Sequence, residues 1–246
     1  MISLIIQARV GSTRLPGKVL KKIGDKTILE FLIDRVRLSK TIDQIIIATS
    51  NNPSDEKIVK LCQKLNTNCF IGDEKNVLRR YHDCALKYKA TTIIRVTSDC
   101  PFIDPLLIDE MLLNYSRENC DYMSNTTPPE CSLWPDGSDI EIFSLDALKK
   151  SYKECKDEKE REHVTFYIWK NKKTNFKILR FKNKKNLSKF RFTVDYKEDL
   201  DVARKIFNYL QENKLRGSAN EIANFLKENP KVFEINNKYY AGIGWE

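Results

Sequence analysis

The hydrophobic pattern opens with a short apolar run from Ile2 to Ile6, interrupted only by Ser3, which suits a buried strand. Polarity then switches abruptly at Gln7. Thr27 to Leu38 sets Ile28, Leu29, Leu32, Ile33 and Val36 at helical spacing, and Gln44 to Thr49 is a second strand-like run. Pro53 and Ser54 open a helix over about 55–65; a strand at 68–71, a helix at 77–88 and a strand at 91–97 follow. This alternation predicts a doubly wound, mostly parallel α/β sheet with helices on both faces. Asp104 and Pro105 form an N-cap and first-turn pair for a helix over 106–115. The rhythm lapses over 126–137, where Pro and Gly surround an exposed-looking Trp134. It resumes with a strand at 139–143, helices at 145–153 and 158–170, an alternating strand at 189–194, and helices at 198–212 and 219–228. One domain over 1–230 is expected, interrupted over about 126–190, with an aromatic tail over 231–246.

At 246 residues the chain can bury a large core, and 41% apolar with 31% charged residues is ordinary for a globular protein. No stretch reaches membrane-spanning length, and nothing near the N-terminus reads as a signal peptide, so a cytoplasmic protein without membrane association is expected. The seven scattered cysteines, without C-x-x-C spacing, point to reduced thiols rather than a disulfide framework or a zinc site. The net charge of +9 is concentrated between Trp169 and Arg191, which hold ten Lys or Arg and no acid. Such a strip fits a nucleic-acid surface, a wall steering an anionic substrate, or a solvated face.

The candidate chemistry starts where the first strand ends. Arg9 to Lys18 packs two Arg, one Lys, two Gly, one Pro and two hydroxyl residues into ten positions. Gly11 and Gly17 permit backbone geometries that cluster N–H groups, and Arg9, Arg14 and Lys18 supply charge suited to phosphate oxygens. A polyphosphate cradle and a basic surface turn are equally compatible with these residues alone. The spacing is neither a Walker A pattern nor G-x-G-x-x-G. Asp99 follows a predicted strand, where a carboxylate can hold a divalent cation beside phosphates, and Asp195 repeats that placement. Turn-capping is the competing reading of both.

The stretch Ile5-Ile-Gln-Ala-Arg-Val-Gly-Ser-Thr-Arg-Leu-Pro-Gly-Lys18 resembles the opening of the SpsF-type cytidylyltransferases. It is also similar to that of the 3-deoxy-manno-octulosonate and acylneuraminate enzymes. Thr97-Ser-Asp-Cys-Pro-Phe-Ile-Asp-Pro105, Trp134-Pro-Asp-Gly-Ser-Asp139, Glu160-Arg-Glu-His-Val-Thr165 and Thr193-Val-Asp-Tyr-Lys-Glu-Asp-Leu200 resemble later motifs of that family, in the same order. Four departures stand out: Ser98 for Gly, Trp134 for Tyr, Asn76 for Asp, and Phe166 for Pro, the last suggesting a straighter helix.

The resemblance implies CMP transfer from CTP to an acidic sugar for surface polysaccharide or glycan biosynthesis. It implies phosphate-handling by Arg9, Arg14 and Lys18, and Mg2+ on Asp99 and Asp195, with Asp99 central to catalysis. Nucleotide contacts would come from Gln7, Ala8, Arg9, Gly11, Ser12, Lys18, Asn76 and Arg80, and sugar contacts from Asp136, Asp139, Arg161 and His163. Glu141 is the weaker sugar candidate, and Asp199 reads as turn support. The 126–190 region would serve sugar binding and dimerisation in a homodimer that binds no nucleic acid. A nucleotide-sugar-dependent glycosyltransferase and a basic nucleic-acid-binding protein are the alternatives.

Overall fold

The computed structural model describes residues 1–171 and 174–239. Its centre is a seven-stranded sheet built from β1 (Ile2–Gln7), β4 (Gln44–Ser50), β5 (Asn68–Gly72), β6 (Thr92–Thr97), β7 (Tyr122–Ser124), β8 (Glu141–Ser144) and β9 (Ile178–Arg180). The strand order is β5-β4-β1-β6-β8-β7-β9. Every neighbouring pair in it is parallel except those made by β8, which runs antiparallel to β6 and β7. A two-residue hairpin, β2 (Lys22–Ile23) with β3 (Lys26–Thr27), stands apart. The doubly wound, mostly parallel sheet expected from the apolar rhythm is therefore present. The region over 126–190 contributes β8 and β9 to this same sheet.

Period-two alternation sends side chains to two cores. Leu4, Ile6, Ile47, Ile94, Val96 and Ile142 face one, covered by α1 (Ile28–Val36), α2 (Glu56–Lys64), α4 (Pro105–Glu118), α8 (Lys197–Glu212) and α9 (Ala219–Glu228). Ile5, Ile46, Ala48, Ile93 and Phe143 face the other, against α3 (Val77–Lys87), α5 (Leu145–Glu154) and α7 (Phe166–Trp169). Each fully buried Ile or Leu contributes about 1.5–3 kcal/mol, so double-sided burial holds the central strands in register. Helix starts follow local chemistry. Thr27 with Glu30 and Ser218 with Glu221 make reciprocal capping boxes, and Asp104 Oδ1 accepts from Leu106 N at 3.0 Å ahead of Pro105.

Three local expectations are revised. The helix over 158–170 is two pieces, α6 (Glu158–Glu162) and α7, because Val164 takes a left-handed φ of 54° and breaks the run; Phe166 in place of Pro does not straighten it. Residues 189–194 form no strand, only an isolated bridge between Arg191 and Asp136. Trp134 is 9% exposed, with Nε1 donating to Phe181 O at 2.7 Å. The chain ends with α10 (Pro230–Phe233) and a segment whose Tyr239 stacks on Tyr196; the tail beyond it lies outside the described residues. No helix among the described residues is long and apolar enough to cross a membrane, and all seven cysteines are free thiols.

Candidate active site

The chain leaves β1 toward β4 on one side and later returns to β6 on the other, so a crevice opens at the carboxyl ends of β1 and β6. A cleft of about 290 Å3 occupies this point. The loop after β1 forms one wall. Its base is pinned by Val10 N donating to the buried carboxylate of Asp55 at 2.7 Å and by Gly17 N donating to Val10 O at 3.1 Å. Gly17 has φ 66°, a left-handed turn that glycine makes without penalty, and it sends Lys18 back into the cleft. Gly11 needs no such freedom: its backbone is ordinary and it lies outside the cleft lining.

The opposite wall is stitched from two distant segments. Val194 N donates to Asp99 O at 2.7 Å and Thr193 Oγ1 to the same oxygen at 3.0 Å, which sets the Asp99 and Asp195 side chains side by side. Lys18 Nζ lies between them, 3.0 Å from Asp99 Oδ2 and 2.7 Å from Asp195 Oδ1, and Arg14 Nη2 reaches Asp195 Oδ2 at 3.2 Å. Burial alone would raise the Asp99 pKa, but the Lys18 ammonium wins and holds the carboxyl well below its usual range. The same competition raises Lys18: burial opposes its charge, and Asp99 and Asp195 overcome it.

Asp199 is scaffold. Fully buried, it accepts from Asp195 N and Tyr196 N at 2.9 Å each and from Arg191 Nε at 3.0 Å and Nη2 at 2.9 Å. Arg191, 5% exposed, also pairs with Asp136 and lies 3.6 Å from Asp195. In the sequence Arg191 belongs both to the basic strip and to the alternating run over 189–194, and neither by itself marks it as part of the site. Its position between two apolar residues, Phe190 and Phe192, in a run ending at Asp195 was the available signal.

At the far end, Asp139 Oδ2 accepts from Gly137 N at 2.8 Å. Burial and the neighbouring Asp139 push Asp136 up to about 8 against the pull of Arg191, and burial raises Asp139 as well. Glu141 also lines the cleft, and it accepts from Arg95, Tyr122 and Thr165. Arg95, also missed from the sequence, donates from Nη2 to Gln7 Oε1 at 3.0 Å and so orients Gln7 in the cleft.

Gln7, Ala8, Arg9, Ser12, Arg14, Lys18, Arg80, Asp99, Asp136, Asp139, His163 and Asp195 all line this one cleft. Arg80 Nη1 donates to Asp73 O at 2.9 Å, while its buried Nε has no hydrogen-bond partner among the described residues. Asn76 lies outside the lining: its side chain caps α3 by accepting from Arg79 N at 2.9 Å. Arg161 is exposed and outside the lining too. His163 stacks on Phe166 with ring centroids 4.2 Å apart. Among the described residues of the basic strip, Trp169 and Arg191 line the cleft.

Among the described residues no three metal-ligating side chains gather. Asp99 and Asp195 nevertheless offer two hard oxygen donors around one point already selected for positive charge. That donor set fits Mg2+, which keeps waters and substrate phosphates as its remaining ligands.

A switch-point cleft in a mostly parallel sheet, walled by a cation-bearing loop, an aspartate just past β6 and an aspartate just ahead of α8, is the layout of a nucleotide-binding α/β protein. The chain belongs to the cytidylyltransferase family, whose pattern matches residues 3–238. It is 38% identical over 236 residues to an uncharacterised protein of Methanocaldococcus jannaschii, covering 94% of this chain and 93% of that one. It is 34% identical over 238 residues to the spore coat polysaccharide biosynthesis protein SpsF of Bacillus subtilis, covering 93% and 95%. A cytidylyltransferase structure from Leptospira borgpetersenii superposes with a TM-score of 0.86 at 31% identity, covering 94% of this chain and 96% of that one.

Proposed function

We propose that this chain transfers CMP from CTP to an acidic sugar and releases pyrophosphate, as a step in making a surface polysaccharide or glycan. The observation that carries the reading is the convergence of Lys18, Asp99 and Asp195 on one point of the switch-point cleft. The sugar's anomeric hydroxyl attacks the α-phosphorus in line, a reaction governed by positioning and charge neutralisation. Arg9, Arg14 and Lys18 hold the β- and γ-phosphates and neutralise the charge that builds on the departing pyrophosphate. Asp99 and Asp195 are the residues that would hold Mg2+, which when bound supplies Lewis-acid polarisation of the α-phosphate and acidifies the attacking hydroxyl.

Gln7, fixed by Arg95, together with Ala8 and Arg80, borders the nucleoside. Asp136, Asp139 and His163 face the acceptor end, where carboxylates of raised pKa suit hydrogen bonds to sugar hydroxyls. A homodimer is part of the same reading. The test is incubation with each of four nucleoside triphosphates, Mg2+ and a panel of nonulosonic and octulosonic acids, with pyrophosphate followed. Release specific to CTP and a sugar acid is expected. Release with no acceptor preference, or none with CTP, overturns the reading.

A further inference from the structure

The segment after α10 returns to the edge of the cleft. Asn236, 2% exposed, donates from Nδ2 to Asp199 Oδ1 at 2.8 Å, and Lys238 pairs with Glu198 at 2.9 Å. These contacts lay the Tyr239 ring on that of Tyr196, with centroids 3.8 Å apart and planes 1° from parallel. The Arg14 guanidinium carbon sits 5.2 Å from the Tyr196 centroid, and that of Arg191 sits 5.7 Å from the Tyr239 centroid. Two rings and two guanidinium groups thus form one cluster beside Asp195.

The loop that bears Arg14 is tied at its base, through Val10 and Gly17. The contacts shown for the Arg14 side chain are to Asp195 and Tyr196. A long, 36% exposed arginine has many rotamers, and each one lost on binding an anion opposes affinity. A flat aromatic platform removes part of that cost beforehand, because guanidinium stacks on rings and stays charged there.

We propose that Tyr239 is a positioning residue for triphosphate binding: stacked on Tyr196, it fixes that ring as the platform from which Arg14 is aimed at the phosphates. The proposal rests on Arg14 being a phosphate ligand. It makes the C-terminal segment part of the nucleotide site although it touches no nucleotide.

The test titrates tripolyphosphate and, separately, CMP into the wild-type chain, Y239A, Y239F, R14A and R14A/Y239A, read by calorimetry. Y239A is expected to weaken tripolyphosphate about fivefold, the scale of one cation–π contact. CMP affinity should hold, Y239F should bind like wild type, and Y239A should add nothing in the R14A background. The proposal is overturned if Y239A binds tripolyphosphate normally, if CMP binding falls in parallel, or if the loss persists without Arg14. A wild-type chain that binds tripolyphosphate yet never turns over CTP would remove the cytidylyl-transfer reading and leave the Tyr239 platform standing.

Discussion

Lys18 Nζ lies 2.7 Å from Asp195 Oδ1 although 177 positions separate the two residues. The contact closes the cleft, because it joins the loop after β1 to the segment that runs into α8. The Lys18 ammonium holds the Asp99 carboxyl ionised against the pull of burial, and the two carboxylates in turn hold the charge on Lys18. On the proposed reading, Lys18 serves the phosphates and Asp99 the cation.

Asp99→Asn keeps the size of the side chain and removes its charge. If Asp99 holds Mg2+ at the α-phosphate, pyrophosphate release should fall at least about a hundredfold, as when a single transition-state contact is lost. The circular dichroism spectrum should be unchanged, because the stitching bonds from Val194 and Thr193 end on the Asp99 backbone carbonyl. Turnover within a factor of a few of wild type would remove Asp99 from the metal site.

Lys18→Ala leaves Asp99 and Asp195 facing each other without the ammonium. Breaking such a recessed cluster should cost about 3 kcal/mol in urea unfolding and should raise the KM for CTP. Added Mg2+ should recover part of the lost stability, since a divalent cation can sit between the same oxygens. Stability that ignores Mg2+ would mean that the two carboxylates do not share a cation.

The β1-to-β6 half was legible because strands buried on both faces read as continuous apolar runs. The Lys18–Asp99–Asp195 set was legible as residue types beside predicted strand ends, although the strand expected before Asp195 is absent among the described residues. Less was readable where one residue type serves two purposes. Asn76 precedes a helix, and Asn there can equally cap the helix or face a ligand; it caps α3. Arg161 and His163 lie two positions apart at the end of α6, so they point in different directions, and only His163 reaches the cleft. The alternation over 189–194 imitates a strand because its burial comes from packing between Asp136 and Asp99, with no continuous ladder. Arg95 pairs with Glu141 46 positions away and Arg191 with Asp136 55 positions away, relations no local pattern carries, although Arg191 also pairs with Asp199 only eight positions on.

His163 predicts a pH dependence. Burial lowers its pKa from the ordinary 6.5, with Arg95 and Lys170 adding to the shift and Glu162 opposing it. As pH falls, the unfolded chain takes up this proton first, so folding stability should decline below about pH 6.5 and be unaffected by this group above it. His163→Gln removes the titration. Urea unfolding between about pH 5 and 8 should show the wild type losing stability relative to the variant as the medium is acidified. A constant difference between the two across that range would mean the imidazole is not shielded.

Gly137 tests whether the acidic end of the cleft depends on one backbone turn. Its φ of 108° is a conformation that side chains other than glycine rarely adopt, and a Cβ there would stand 2.4 Å from Thr193 N and 2.7 Å from Phe192 C. Both obstacles are backbone atoms, so no side-chain rotation relieves them. Gly137→Ala should therefore push the Asp136 loop off residues 192–193, costing about 3 kcal/mol and lowering Tm by about 6–12 °C for a chain of this size. The movement also breaks the Gly137 N–Asp139 bond and the Asp136–Arg191 pair, so acceptor binding should weaken more than CTP binding. Calorimetric melting with separate KM values for sugar and CTP reads both effects. An equal rise in the two KM values would show that Asp136 and Asp139 do not belong to the acceptor end.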